Sequence, residues 1–121
     1  MKGRAPNKAE SEWHDLIASN IGCQACFKET GTRNTYVSIH HIDGRTKPDA
    51  HWLVLAPCGG HHQKGYGADP KMPAIHGSLR EFERRYGSQM ELLAEAASDL
   101  LEMGYVVPPR VLELVGMDAT A

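Results

Sequence analysis

Cysteine and histidine side chains, which bind transition metals, crowd the middle of this 121-residue sequence. All three cysteines and six of the seven histidines lie between residues 23 and 76. Two pairs with a two-residue gap, Cys23-x-x-Cys26 and Cys58-x-x-His61, together make a Cys₃His ligand set of the kind that holds structural zinc. The gap lets both members of a pair bind one ion from a tight turn. The sequence therefore predicts a structural zinc site; the alternative is three unrelated cysteines in a reduced core.

Histidines outside those pairs indicate a second site. His62 follows His61 on a predicted short helix, and consecutive helical residues project about 100° apart. If His61 faces the zinc, His62 therefore points elsewhere, toward a predicted hairpin. His40 and His41 are neighbours on a predicted strand, so they share one site only where that strand ends or bulges. The alternative for each histidine is an imidazole at the surface or the core edge.

Phosphodiester hydrolysis is a reaction that such residues can perform. It needs a base for water, a cation to offset charge on the phosphorane, and groups that hold the phosphates in line. Imidazole suits the first task because its ordinary pKa is about 6.5. Imidazoles can also hold the cation, and Arg45, Lys47 and Lys64 are available to hold phosphates. Asp43 precedes Gly44, and this pair predicts a turn rather than a metal ligand.

The elements that must position these residues are predicted to be mostly helical. A helix over residues 7–20 has capping-box spacing at Asn7 and Glu10, and Gly22 ends it. Alternating β-branched residues predict strands over 36–42 and 52–56, the second ended by Pro57. A short helix over 59–65 and a Gly/Pro-rich loop over 65–77 follow. Between the first helix and the first strand lie the tight segment at residues 23–26 and a polar Thr/Gly/Arg/Asn stretch.

Three further helices are predicted behind the loop. Ser78 with Glu81 and Ser88 with Glu91 have capping-box spacing, and Gly87 and Gly104 end these two helices. Pro108-Pro109 opens a last helix through residue 115. The fold class is therefore α+β with a very small sheet. The residues predicted to face inward are Trp13, Leu16, Ile17, Leu79, Phe82, Tyr86, Leu92, Leu93, Ala96, Leu100 and Met103.

Length and composition bound the remaining possibilities. The length predicts one domain over residues 1–121, and the 7% aromatic content indicates a thin core that a metal would reinforce. A net charge of −2 excludes the strongly basic class of nucleic-acid binders. Residues 1–85 nevertheless carry 12 of the 13 Lys/Arg against 9 Asp/Glu, whereas residues 86–121 carry one against six. The excess of positive charge in residues 1–85 could bind phosphates. The alternative is that both parts of the chain form ordinary solvated surfaces.

Membrane and secretion signals are not found in the sequence. No apolar run approaches the roughly 20 residues of a membrane span, and MKGRAPNK at the start has no apolar signal-peptide core. The sequence therefore predicts a cytoplasmic protein that does not contact a membrane.

The order of these motifs resembles that of a known nuclease superfamily. A Cys-x-x-Cys pair, a strand ending in His40-His41, a second strand and then Cys58-x-x-His61-His62 resemble zinc-containing HNH (His-Me finger) endonucleases, which have a ββα-metal core. More narrowly, SIHHIDGRTKPDAHWLVLAPCGGHHQKG, with IHG and FERRYG behind it, is similar to the phage Ref family of recombination-enhancement, RecA-dependent DNA nucleases. The resemblance covers about residues 21–90, and a C-terminal helical part covers about 78–116.

The resemblance implies roles for individual residues. His41 would be the general base, and His40 and His62 would bind a catalytic divalent metal, magnesium or zinc. His51 is the nearest polar substitute for the middle Asn of HNH, and His76 is a candidate further ligand. The structural zinc ligands would be Cys23, Cys26, Cys58 and His61.

Three functional hypotheses are compatible with the sequence. The resemblance implies a metal-dependent DNA endonuclease in a bacterial host cell, with DNA and a RecA filament as partners. We expect the imidazoles of residues 40, 41 and 62 to converge on one pocket. The alternative is a non-catalytic, zinc-stapled module that binds nucleic acid or protein. A zinc deaminase or peptidase is disfavoured because the chain lacks H-E-x-x-H and pairs no H-x-E with P-C-x-x-C.

Overall fold

A computed structural model describes residues 3–64 and 71–117 of the chain. Within these residues lie helices and one two-stranded sheet, the small α+β arrangement that the sequence predicts. The part of the predicted loop at residues 65–70 lies outside the described residues. In chain order the elements are α1 (Lys8–Asn20), α2 (Gln24–Thr30), β1 (His40–His41), β2 (Val54–Leu55), α3 (Gly59–His62), α4 (Leu79–Tyr86), α5 (Gln89–Glu102) and α6 (Pro109–Leu114).

The sheet is an antiparallel hairpin that carries two of the predicted site residues. His40 lies opposite Leu55, and His41 lies opposite Val54. Both strands are shorter than predicted. Upstream of β1, pairing continues only as an isolated bridge between Val37 and Cys58, because Pro57 has no N–H to donate to a regular ladder.

Helices α1 and α5 cover the hairpin and form the core with it. Trp13 and Ile17 of α1 are buried, and Trp13 Nε1 donates to the carbonyl of Trp52 at 3.2 Å. Val54 and Leu55 of β2 are also buried. Packing of these apolar side chains holds the hairpin in place, and with it His40 and His41 of β1. The other buried apolar residues of these helices and α6 are Leu92, Leu93, Ala96, Ala97, Leu100, Val111 and Leu112.

Two of the three predicted capping boxes are formed. Asn7 with Glu10 begins α1, and Ser88 with Glu91 begins α5. Each box satisfies amide groups that a helix N-terminus leaves without an intrahelical partner. The bounds of α1 and α5 follow the sequence prediction for this reason.

The prediction was wrong at the N-terminus of α4. Ser78 makes no side-chain cap; its Oγ accepts from the amide of Ala74 at 2.9 Å. Glu81 instead pairs with Arg84 one turn along the helix. Leu79 lies at the edge of α4 and is 39% exposed, so it is not inward-facing.

One helix was not predicted from the sequence, and one residue predicted to face inward is exposed. Residues 24–30 form α2, which begins at the zinc motif and ends at Gly31 in the left-handed conformation, where glycine has no steric penalty. Met103 follows the last turn of α5 and is 46% exposed rather than inward-facing. Among the described residues, no helix has the length and apolar character needed to cross a membrane.

An ion pair between exposed Arg4 and the buried carboxylate of Glu10 links the N-terminal segment to α1. Glu10 is 1% exposed and accepts two hydrogen bonds from the Arg4 guanidinium, each of 2.6 Å. The Asn7 amide also donates to Glu10, at 2.9 Å. The Arg4 hydrogen bonds are the main cause that lowers the pKa of Glu10 from 4.5 to about 2; the Asn7 amide also lowers it, whereas desolvation opposes both by raising it.

The Glu10→Gln variant should lose stability in a pH-dependent way. The folded-state pKa is depressed, so the carboxylate stabilises the fold fully above pH 4.5, and this contribution disappears as the pH falls toward 2. At pH 7 we expect a loss of about 1–3 kcal/mol in unfolding free energy, the usual worth of a charged hydrogen bond. Urea unfolding at pH 7 and pH 3 measures it. Glu81→Gln, at an exposed ion pair, is the control and should lose little. An equal loss for Glu10→Gln at both pH values would contradict the assignment.

Candidate active site and metal centres

The predicted zinc ligands form one compact cluster. The sulfurs of Cys23, Cys26 and Cys58 lie 3.4, 3.5 and 3.3 Å from His61 Nδ1, and the Cys26 and Cys58 sulfurs are 3.7 Å apart. A tetrahedral zinc ion with its usual bond lengths separates two sulfurs by about 3.7 Å and a sulfur from a nitrogen by about 3.5 Å. The four residues therefore fit zinc.

Two short helices position this cluster. Cys23 immediately precedes α2 and Cys26 lies in its first turn, while Cys58 precedes α3, which contains His61. Hydrogen bonds from the Cys23 thiol and then from His61 lower the pKa of Cys58. A thiolate is the form that binds zinc.

Groups around the cluster fix the orientation of its imidazole. His61 Nε2 lies 3.2 Å from the Tyr86 hydroxyl, which donates to the carboxylate of Glu29 at 2.5 Å. Because the Tyr86 hydroxyl donates its proton in the hydrogen bond to Glu29, its oxygen accepts a hydrogen bond from His61 Nε2–H. The Nδ1 of His61 then carries no proton and is available as a metal ligand beside the thiols. Burial is the main cause that raises the pKa of Tyr86. No sequence pattern indicates this role, and Tyr86 was predicted only as a core residue.

A second cluster joins His40, His62 and His76. Their ring centroids are 5.1, 5.0 and 5.0 Å apart, which makes the three rings nearly equidistant. His40 comes from β1, His62 from α3, and His76 from the loop before α4. Backbone bonds from the His76 amide to the His62 carbonyl, 2.9 Å, and from the Lys64 amide to the His76 carbonyl, 2.8 Å, hold this loop against α3.

The second cluster has the properties of an open metal site. His40 Nε2 donates to Gln89 Oε1 at 2.7 Å, and His62 Nδ1 lies 3.2 Å from Ser38 Oγ. These bonds leave the opposite ring nitrogens available as ligands. Burial lowers the pKa of both His40 and His62, which favours the neutral form that binds metal. His76 is exposed, so solvent or substrate can reach the site.

His41 lies in a third cluster, with His51 and His14. His51 Nε2 is 2.6 Å from the carbonyl oxygen of Arg4. A carbonyl only accepts hydrogen bonds, so this nitrogen carries the proton, and in the neutral ring Nδ1 is an acceptor. The 3.1 Å contact between His41 Nε2 and His51 Nδ1 therefore has His41 as the donor. His41 Nδ1 is left with a free lone pair.

The electrostatic surroundings keep His41 neutral. Burial is the main cause, and together with repulsion from His51 and Arg45 it lowers the pKa of His41 to about 4. The ring is half-buried, so water can still reach it. His41 is therefore an uncharged imidazole with one available basic nitrogen at neutral pH.

The structure divides the set that we expected to converge on one pocket. His40 and His62 lie together with His76, whereas His41 lies with His51 and His14. The reason is strand alternation: consecutive residues of β1 point to opposite faces. The two clusters are adjacent because a single peptide bond joins His40 to His41.

Other predicted positions surround these clusters. Arg45 and Lys47 are exposed and line a pocket of about 320 Å³ together with Arg4 and His51. Lys64 is exposed beside His76, so cationic side chains flank both histidine clusters. The loop at residues 42–44 makes the predicted turn: the Gly44 amide lies 3.3 Å from the His41 carbonyl, and Gly44 has a φ of 75°.

His14 was missed by sequence reasoning. Its Nε2 donates to the His51 carbonyl at 2.8 Å, and its ring lies 5.9 Å from that of His41. It is far from the other histidines in sequence and belongs to a predicted helix with no metal motif. The only available signal was its place beside Trp13, on the face of α1 that meets the hairpin.

The fold and these clusters define a small α+β protein whose cysteines and histidines can hold metal ions. A family model described as recombination enhancement, RecA-dependent nuclease matches residues 6–101. The match includes every cysteine and histidine described above and covers most of the chain, which therefore belongs to this family. The family's name indicates a nuclease that depends on RecA and takes part in recombination enhancement.

Proposed function

We propose that this chain is a metal-dependent DNA endonuclease of the HNH (His-Me finger) type. The hairpin of β1 and β2 followed by α3 would be its ββα-metal core, in a single domain over residues 1–121. The main support is the three-imidazole cluster directly beside a histidine whose basic nitrogen is free. We place the enzyme in phage-associated recombination in the bacterial cytoplasm, with RecA filaments as the partner.

His41 is the proposed general base. Its Nδ1 takes a proton from the attacking water, because Nε2 is committed as a donor to His51. His51 is a positioning residue, held by the Arg4 carbonyl in the tautomer that accepts this bond. A phosphate bound nearby raises the low pKa of His41, since negative charge favours the imidazolium that forms during the reaction.

His40, His62 and His76 would hold the catalytic ion. A divalent ion bound there would offset negative charge on the phosphorane and the leaving oxygen. The donor set is entirely imidazole, which suits zinc better than magnesium. In-line displacement needs the base and the stabilised leaving oxygen on opposite sides of the phosphorus. Two adjacent clusters meet this requirement better than one shared pocket.

Arg45, Lys47 and Lys64 would position the DNA backbone. They flank the two histidine clusters and carry charges suited to phosphates rather than to base edges. With a net charge of −2, the chain should bind bare DNA weakly and in a salt-sensitive way. A protein filament that presents the DNA would supply the missing affinity.

Nicking assays test the proposal. Supercoiled plasmid and RecA-coated single-stranded DNA are incubated with the protein in magnesium, manganese or zinc. We expect metal-dependent cleavage that increases with RecA filaments and is lost in His40→Ala. Gln63→Ala, an exposed neighbour of His62 outside the clusters, should cleave normally. No cleavage by wild type under any metal, with or without RecA, would favour the non-catalytic binding module.

A further inference from the structure

We propose that His14, His41 and His51 form a second histidine site for zinc, and that zinc bound there inhibits the nuclease. The existence of this site stands on geometry alone. Only the inhibitory consequence rests on the proposed function, because it requires His41 to be the general base. Nitrogens of the three rings lie within 4.8 Å of one another.

The spacing of the three rings suits a metal ion. Their centroids lie 5.1, 5.8 and 5.9 Å apart, against 5.0–5.1 Å in the cluster of His40, His62 and His76. His41 Nε2 and His51 Nδ1 are 3.1 Å apart. Two nitrogens bound to one tetrahedral zinc ion are about 3.3 Å apart. A proton lies between them in the hydrogen-bonded form, and a zinc ion bound to both nitrogens would take its place with a tilt of the two rings.

Two of the three rings already donate one nitrogen to a backbone carbonyl. His14 Nε2 donates to the His51 carbonyl at 2.8 Å, and His51 Nε2 donates to the Arg4 carbonyl at 2.6 Å. Metal-binding histidines commonly donate their other nitrogen to a backbone carbonyl in this way. The hydrogen bonds leave Nδ1 of both rings as the available ligand atoms. The 1% exposure of His51 and the ion pair of Arg4 with Glu10 fix this arrangement.

Zinc and the catalytic tautomer exclude each other. A zinc ion bound to His41 Nε2 takes the place of the proton that His41 donates to His51. The neutral imidazole then carries its proton on Nδ1, so no proton is gained or lost overall. With Nδ1 protonated, the ring has no lone pair for the attacking water. Cleavage should therefore fall as free zinc rises, even when the catalytic ion is in place.

Zinc stoichiometry tests the site without reference to activity. Wild type, His14→Gln, His76→Ala and the double variant are dialysed against buffered zinc and measured by elemental analysis, with circular dichroism as the check on folding. We expect three ions in wild type, two in each single variant and one in the double variant. His14→Gln should bind the affected ion at least tenfold more weakly. His14→Ala, measured in parallel, should give the same counts as His14→Gln. Equal zinc counts in wild type and both His14 variants would overturn the site.

Inhibition is tested separately. Cleavage in manganese is titrated with zinc for wild type and His14→Gln. Since His14 contacts neither the proposed catalytic ion nor the attacking water, we expect His14→Gln to cleave without added zinc and to need at least tenfold more zinc for half-inhibition. Identical zinc titrations for the two proteins would overturn the inhibitory role. If neither protein cleaves DNA but the zinc counts differ as expected, the proposed function fails and the site stands.

Discussion

His41→Ala should cleave DNA about 10²–10⁴-fold more slowly than wild type, the usual contribution of a general base. The reason is specific to this ring: its Nδ1 is free, its Nε2 is held by His51, and burial keeps it neutral. Substitution by alanine removes the unprotonated Nδ1 that would take the proton from the attacking water. Single-turnover cleavage of RecA-coated DNA measures the rate.

The same variant should leave the fold intact. His41 is half-buried at the end of a two-residue strand, and it is not a ligand of the thiolate cluster. Urea unfolding and the zinc count of that cluster should stay near wild type. Asp43→Asn is the matched control, because Asp43 lies two residues further on, in an exposed turn. Normal cleavage by His41→Ala would rule out His41 as the general base. An equal loss of activity in Asp43→Asn would mean that Asp43 also takes part in the reaction.

The predictable features of this protein are local in sequence. Cys23 and Cys26, like Cys58 and His61, are three residues apart, so each pair reaches one ion whatever the rest of the chain does. The capping boxes of α1 and α5 likewise depend on side chains within one turn. Local geometry therefore indicated each ligand pair and the main helices, and the four ligands that zinc requires indicated that the two pairs meet.

The features that sequence reasoning missed depend on contacts between distant segments. His14 reaches His51 across 37 residues, and Gln89 reaches His40 across 49. Ser78 had the spacing of a helix cap, but its hydroxyl oxygen accepts a hydrogen bond from the Ala74 amide instead. Helix α2 was missed because its residues, Gln24–Thr30, show little apolar periodicity. The helix lies between and after two of the zinc ligands, Cys23 and Cys26, rather than on an apolar stripe of its own. In each case tertiary packing selected one of several locally acceptable partners.

Loss of zinc from the thiolate cluster should unfold the site region. Helix α3 has four residues and α2 has seven, both far below the 12–15 residues at which isolated helices become marginally stable. The two strands have two residues each. These elements hold His40, His41 and His62, so the histidine clusters depend on the same cross-link.

The free energy of zinc binding is large enough for zinc removal to have a large effect on folding. Zinc binding can contribute roughly 10 kcal/mol or more to such units, against a total stability of about 5–15 kcal/mol for a typical domain. We therefore expect Cys58→Ser, or wild type stripped with a strong chelator, to lose the cooperative unfolding transition followed by circular dichroism. Readdition of zinc should restore the transition in stripped wild type only.

His76→Ala separates this structural effect from the effect on the catalytic ion. His76 is exposed on a loop and belongs to the histidine cluster rather than to the thiolate cluster. Its variant should lose one ion and cleavage activity while keeping an unfolding transition close to that of wild type. An unchanged transition in fully zinc-free wild type would instead mean that the apolar core of α1, β2 and α5 orders the site by itself. The hairpin would then hold its histidines in place before any metal binds.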